Sequence, residues 1–95
     1  MPAYLFANVD VTDPTGYEEY RKQVSATIAA FEGRYLARGG AAETLEGDHV
    51  AKRVVILEFP DMARLKAWYA SVEYSPLLAI RQATSRSTLI AIEGI

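Results

Sequence analysis

From Tyr4 to Val11 the chain runs YLFANVDV, with Leu5, Ala7, Val9 and Val11 on one side and Tyr4, Phe6, Asn8 and Asp10 on the other. A period of two predicts a β-strand. A strand with one face in water has no use for Tyr4 and Phe6, so both faces of its sheet are expected to be covered. At Thr12-Asp13-Pro14 the pattern changes. Asp13 can accept the free amide hydrogens of a first helical turn, and Pro14 has its φ preset for that turn. Tyr17, Tyr20, Val24, Ile28 and Phe31 then recur at spacings of three and four, while Glu18, Glu19, Lys22 and Gln23 take the remaining arc. This is an amphipathic helix, and Gly33 is expected to end it in the left-handed conformation.

Arg34 to Arg38 (RYLAR) predicts a second strand, bent or bulged at Gly39-Gly40 and continuing into Ala41 to Glu46. A polar connection through Lys52 leads into Arg53 to Phe59 (RVVILEF), whose near-continuous apolar character suits a central strand. Asp61 caps a second helix with a stripe of Met62, Leu65, Trp68, Tyr69 and Val72, and Ser71 to Ser75 interrupts it. Pro76 starts a further short helix through Ala83, with Leu77 and Ile80 inward, before a last strand at Thr88 to Ile92.

The order is β-α-β-β-α-β, the signature of an α+β ferredoxin-like fold with an antiparallel sheet, here one domain over residues 1–95. The two helical regions should cover one sheet face. The other face, with Tyr4, Phe6, Val54, Ile56 and Ile90 or Ile92, is too apolar to stay wet, which points to a homodimer.

Half of the 95 residues are apolar (51%) and 23% are charged, the balance of an ordinary globular protein. A net charge of −2 gives no basic field for phosphates or anionic lipid, so neither nucleic acid nor membrane is an expected partner. The N-terminus lacks the pattern of a secretory signal and no apolar stretch reaches the length of a membrane span, so the expected location is cytoplasmic. With no cysteine, disulfides, thiolate metal sites and Cys nucleophiles are excluded.

Three stretches, MPAYLFANVDVTDPTGYEEYR, GRYLARGGAAETLEG and VVILEFPDMARLKAWYASVEYSPLLAIRQ, resemble the small bacterial DUF1330 proteins over nearly the whole chain. The resemblance implies the dimeric α/β-barrel superfamily, in which two ferredoxin-like subunits pack sheet against sheet. That superfamily contains cofactor-independent monooxygenases, lactone isomerases, haem-degrading enzymes and stress-response proteins, while DUF1330 brings no assigned activity. One fold hosts many unrelated sites.

The lone histidine, His49, sits in the connection beside Asp48 and belongs to no ligand cluster, so no metal site is expected. No nucleophile-base pair or phosphate loop is recognisable, and no cofactor is called for. Pro2 would expose a secondary amine if Met1 were removed, but nothing else in the chain resembles a tautomerase. The segment that concentrates chemistry is Trp68 to Pro76 followed by Arg81, where polar-ended aromatics close one helix and enter a turn. A planar organic ligand could stack on Trp68, meet the Tyr74 hydroxyl and place an anionic oxygen at Arg81, with Asn8 or Glu58 contributing from the sheet. The plainer reading is core aromatics and a surface-paired arginine. Two functions follow: a cofactor-independent enzyme, monooxygenase-like or isomerase-like, with Tyr74 and Arg81 catalytic and Trp68, Asn8 and Glu58 binding substrate, or a noncatalytic small-molecule-binding or stress-associated dimer.

Overall fold

In the computed structural model, which describes Met1–Ile95, the elements are β1 (Ala3–Val11), α1 (Pro14–Ala30), β2 (Arg34–Arg38), β3 (Arg53–Phe59), α2 (Met62–Tyr69), α3 (Ser75–Thr84) and β4 (Ser85–Glu93). They form one antiparallel four-stranded sheet in the order β2-β3-β1-β4, with the two most apolar strands at its centre. The helices lie on the face that carries Ala3, Leu5, Ala7 and Val9 of β1 and Leu57 and Phe59 of β3. From α1 come Tyr17, Tyr20, Val24 and Ile28, and from the other helical region Leu65, Trp68, Tyr74 and Leu77, to close the core.

The caps behave as their chemistry demands. Asp13 and Asp61 accept from the backbone N–H groups of Gly16 and Arg64 respectively, satisfying donors that a first helical turn leaves free. The end of α1 departs from the expectation: Glu32, not Gly33, takes the left-handed conformation at φ 65°. Gly33 N–H then bonds Ile28 C=O and Glu32 N–H bonds Ala29 C=O, the paired bonds of a Schellman turn. Gly33 is needed for a different reason, since a β-carbon there would lie 2.6 Å from the Phe59 ring.

Other boundaries also move. The irregularity in β2 falls between Tyr35 and Ala37, so the bulge precedes Gly39-Gly40. Residues 39–52 form no strand, and the expected continuation through Ala41 to Glu46 is an irregular excursion instead. Helix α2 ends at Tyr69, which leaves Val72 exposed in the following turn rather than on the apolar stripe. Strand β4 begins at Ser85, three residues earlier than the apolar run, because it pairs with β1 along the whole of Ala3–Val11.

The second sheet face carries Tyr4, Phe6, Asn8, Val54, Ile56, Glu58, Ile90 and Ile92. In register, Phe6 lies opposite both Ile56 and Ile90, and Tyr4 lies opposite Glu58 and Ile92. No helix covers this face, and Ile90 and Ile92 remain 55% and 61% exposed. No helix is long and apolar enough to cross a membrane.

Candidate functional site

Trp68, Tyr74 and Arg81 come together between the helices and the sheet. The Trp68 and Tyr74 rings pack with centroids 4.3 Å apart, and Arg81 Nε donates to the Tyr74 hydroxyl at 3.3 Å. The local sequence explains this. Trp68 is on the last turn of α2, Ser71 receives the Tyr74 N–H on its hydroxyl at 3.1 Å to shape the turn, and Arg81 lies two helical turns beyond Tyr74 on the same side of α3. All three are buried, Tyr74 completely. The Trp68 indole N–H donates to Thr27 Oγ1 at 3.0 Å, so the ring is fixed at both ends.

A residue with no assigned role beyond the apolar stripe of α1 completes the group. The Tyr20 hydroxyl lies 2.8 Å from that of Tyr74. Because Tyr74 already accepts from Arg81, it can give its own proton to Tyr20, which leaves the Tyr20 O–H free to donate elsewhere. Burial pushes the Tyr20 hydroxyl well above its ordinary range, and the Tyr74 hydroxyl adds to that. Tyr20 is therefore a neutral donor at neutral pH.

Tyr20, Trp68 and Arg81 line a cavity of about 40 Å³ between α1 and the sheet, room for about three waters. Apolar side chains from the sheet and α1, among them Val9, Val55, Leu57, Leu89, Val24 and Ile28, line most of it. Toward the start of α1 it is bordered by Tyr17, Arg21, Tyr35, Arg38 and Arg53. Tyr74 does not reach it. Tyr74 stands behind Arg81 and Trp68 and holds the arginine, which is a positioning role.

Arg81 is not alone at the cavity: Arg21, Arg38 and Arg53 border it too, and of these Arg21 and Arg53 carried no expected role. Val9 pairs with Arg53, and Val55 with Arg38, so both arginines sit on the helix-covered face. Of the four bordering the cavity, only Arg21 has an acidic partner, Glu18 at 2.5 Å; Arg38, Arg53 and Arg81 have none within 4.0 Å. Arg38 stacks over the Tyr35 ring at 4.5 Å. Arg53 Nε is buried and makes no hydrogen bond, an omission that costs about 1–3 kcal/mol or more for a charged group. Burial raises the Tyr17 hydroxyl pKa, while neighbouring Arg53 opposes that shift. Gly39, at φ 70°, makes room for this guanidinium: a β-carbon at 39 would stand 2.9 Å from Arg53 Cζ.

Asn8 and Glu58 are elsewhere. Strand parity turns both to the uncovered face. Glu58 pairs with Arg34 at 2.6 Å. Asn8 anchors the 39–52 excursion: its Oδ1 accepts Lys52 N–H at 2.8 Å, and its Nδ2 donates to Val50 C=O and His49 Nε2, each at 2.9 Å. Neither side chain lines the cavity. Pro2 lies at the opposite end of β1, where its C=O accepts from Gly94 N–H at 2.7 Å. No cluster of three or more His, Asp or Glu side chains suited to a metal ion is formed.

The antiparallel βαββαβ sheet with helices on one face defines a ferredoxin-like protein. The chain belongs to the DUF1330 family, a domain of unknown function whose pattern matches residues 2–95. Among solved structures it is similar to a protein of unknown function from Rhodopseudomonas palustris (TM-score 0.80, 19% identity, covering 99% of this chain and 82% of that one). It is also similar to a dimeric ferredoxin-like protein of unknown function from Jannaschia sp. CCS1 (TM-score 0.73, 14% identity, 99% and 100% covered). A third is SnoaB, a cofactor-independent oxygenase from Streptomyces nogalater (TM-score 0.71, 17% identity, 99% and 93% covered). These likenesses establish a shared fold. No functionally curated protein matches the chain.

Proposed function

We propose that this chain is a homodimeric small-molecule-binding protein whose ligand enters the cavity between α1 and the sheet. The observation that carries this reading is the Arg81–Tyr74–Tyr20 chain, which ends at a cavity lined by Tyr20 and Arg81. A purely structural core has no need of a buried arginine without an acidic partner, because apolar groups of similar volume pack there at no electrostatic cost. Binding comes before catalysis in this reading because no His, Asp or Glu lines the cavity, so no side chain there is suited to take a proton near neutral pH.

The dimer follows from the sheet face that no helix covers, where Phe6 lies in register with Ile56 and Ile90, and Ile90 and Ile92 are exposed. A standard interface removes about 800 Å² per partner from water, and at about 25 cal/mol per Å² even a half-apolar interface gains more than about 10 kcal/mol before association costs. The description of the Jannaschia protein as dimeric supports the same arrangement.

One observation favours a second reading, turnover without a cofactor. A neutral tyrosine donor beside an arginine is an electrophilic pair that would stabilise an enolate formed from a substrate acidic enough to ionise without a protein base. The fold shared with SnoaB is consistent with such chemistry. A panel of small aromatic and enolisable metabolites, tested for binding by calorimetry and for product formation and oxygen uptake, separates the readings. Saturable binding without turnover, lost in Arg81→Met, supports the first and turnover supports the second; no binding by any compound overturns both.

A further inference from the structure

We infer that the ligand of this cavity is a small organic carboxylate, its carboxylate group held between Arg53 and Arg81 and its apolar remainder pointing out past Arg38. The inference rests on the reading of the cavity as a binding site and adds the chemical class of what binds. Four observations converge on it. Arg53 Nε is buried with no hydrogen-bond partner, so the polypeptide leaves one charged donor unanswered. Arg81, only 5% exposed, gives Nε to Tyr74 and has no acid within 4.0 Å. Glu18, the acid on the neighbouring helix face, is already engaged by Arg21. Gly39, in the left-handed conformation, leaves free the space that the Arg53 guanidinium fills at the cavity border.

A planar guanidinium presents paired donors that match the two oxygens of a carboxylate. The size agrees: a space for about three waters accepts a carboxylate group. The apolar sides at Val9, Val55 and Leu89 suit carbon rather than a fully oxygenated anion, which is why an organic acid fits better than inorganic phosphate. The adjoining Tyr20 hydroxyl adds a neutral donor, which strengthens binding of an anion without adding charge.

Calorimetry with benzoate and its neutral isostere benzamide, at low and at 0.5 M salt, tests the assignment on the intact protein. Benzoate is expected to bind at least tenfold more tightly than benzamide. Arg53→Met should abolish that preference, while Lys66→Met, which removes the same charge from the surface of α2, should preserve it. Equal binding of the two compounds would overturn the carboxylate assignment and leave a neutral-ligand site standing. Loss of the preference in Lys66→Met to the same degree would reduce it to overall charge, and phosphate competing as well as benzoate would remove the organic acid from the argument. Binding of neither compound, together with no binding across the wider metabolite panel, would remove the site itself.

Discussion

The hydroxyl groups of Tyr20 and Tyr74, fifty-four residues apart in the chain, lie 2.8 Å from each other inside the protein, and Arg81 donates to the second of them. This contact ties α1 to α3 and sets the position of the arginine that borders the cavity. Removing the middle member should therefore cost more than one hydrogen bond. Tyr74→Phe leaves both Arg81 Nε and the Tyr20 hydroxyl short of a partner and is expected to destabilise the fold by about 1–3 kcal/mol. Tyr20→Phe should cost less, and the double variant should cost less than the two singles combined. Urea denaturation of the three variants measures this, and strictly additive effects would deny the coupling.

Tyr20, with Tyr17 beside it on α1, also makes an alkaline prediction. Burial raises the pKa of Tyr20 and, to a smaller degree, of Tyr17, above the unfolded value near 10. Below that value both states hold the protons and stability is unaffected. Above it the unfolded chain releases protons that the folded one keeps, so stability falls as pH rises, by up to about 1.4 kcal/mol per pH unit for each such tyrosine. Thermal unfolding followed between pH 9 and 11 should show this decline, with a shallower slope in Tyr20→Phe. An unchanged slope in that variant would mean that Tyr20 ionises in the folded state.

Gly39 and Gly40 are adjacent but should respond differently to alanine. Gly39 combines φ 70° with the Arg53 guanidinium standing where a β-carbon would go, whereas a β-carbon at Gly40 would meet open space. Gly39→Ala is expected to cost about 1–3 kcal/mol from backbone strain and collision with Arg53, and Gly40→Ala less than about 0.5 kcal/mol. Combining Gly39→Ala with Arg53→Ala removes the collision but not the strain, so part of the loss should return. Equal melting temperatures for the two single glycine variants would separate Gly39 from the site.

These residues also mark where the sequence was informative. The strands were legible because Leu5, Ala7 and Val9 alternate with Tyr4, Phe6 and Asn8, and the helices because Asp13-Pro14 and Pro60-Asp61 announce them. The Trp68, Tyr74 and Arg81 grouping was legible because a helix end, a turn and a helix start lie within fourteen positions of one another. Tyr20 escaped because its spacing is that of an ordinary core residue, and nothing local reveals a partner fifty-four residues away. Arg53 did leave a signal, since it stands in phase with Val55, Leu57 and Phe59 on the core face of β3. A charge at an inward strand position asks for a partner. Asn8 and Glu58 carry the opposite lesson, because their parity with Phe6 and Ile56 turns them to the uncovered face, away from the helices.

The uncovered face supplies the last test. Phe6 is at its centre, opposite Ile56 on one neighbouring strand and Ile90 on the other. In the proposed dimer these residues meet their counterparts across a two-fold axis, so one substitution acts twice. Phe6→Glu would bury two carboxylates among apolar residues such as Ile56 and Ile90, a cost of several kcal/mol per charge that a standard interface does not survive. The fold of each subunit should persist, because Phe6 points away from the helix-covered core. Light scattering coupled to gel filtration is expected to give twice 10.5 kDa for the wild-type chain and 10.5 kDa for Phe6→Glu. Val72→Glu, at an 84% exposed position in the α2–α3 turn, should keep the doubled mass. A wild-type mass of 10.5 kDa, or a doubled mass in Phe6→Glu, would mean that this sheet face is not where two copies join.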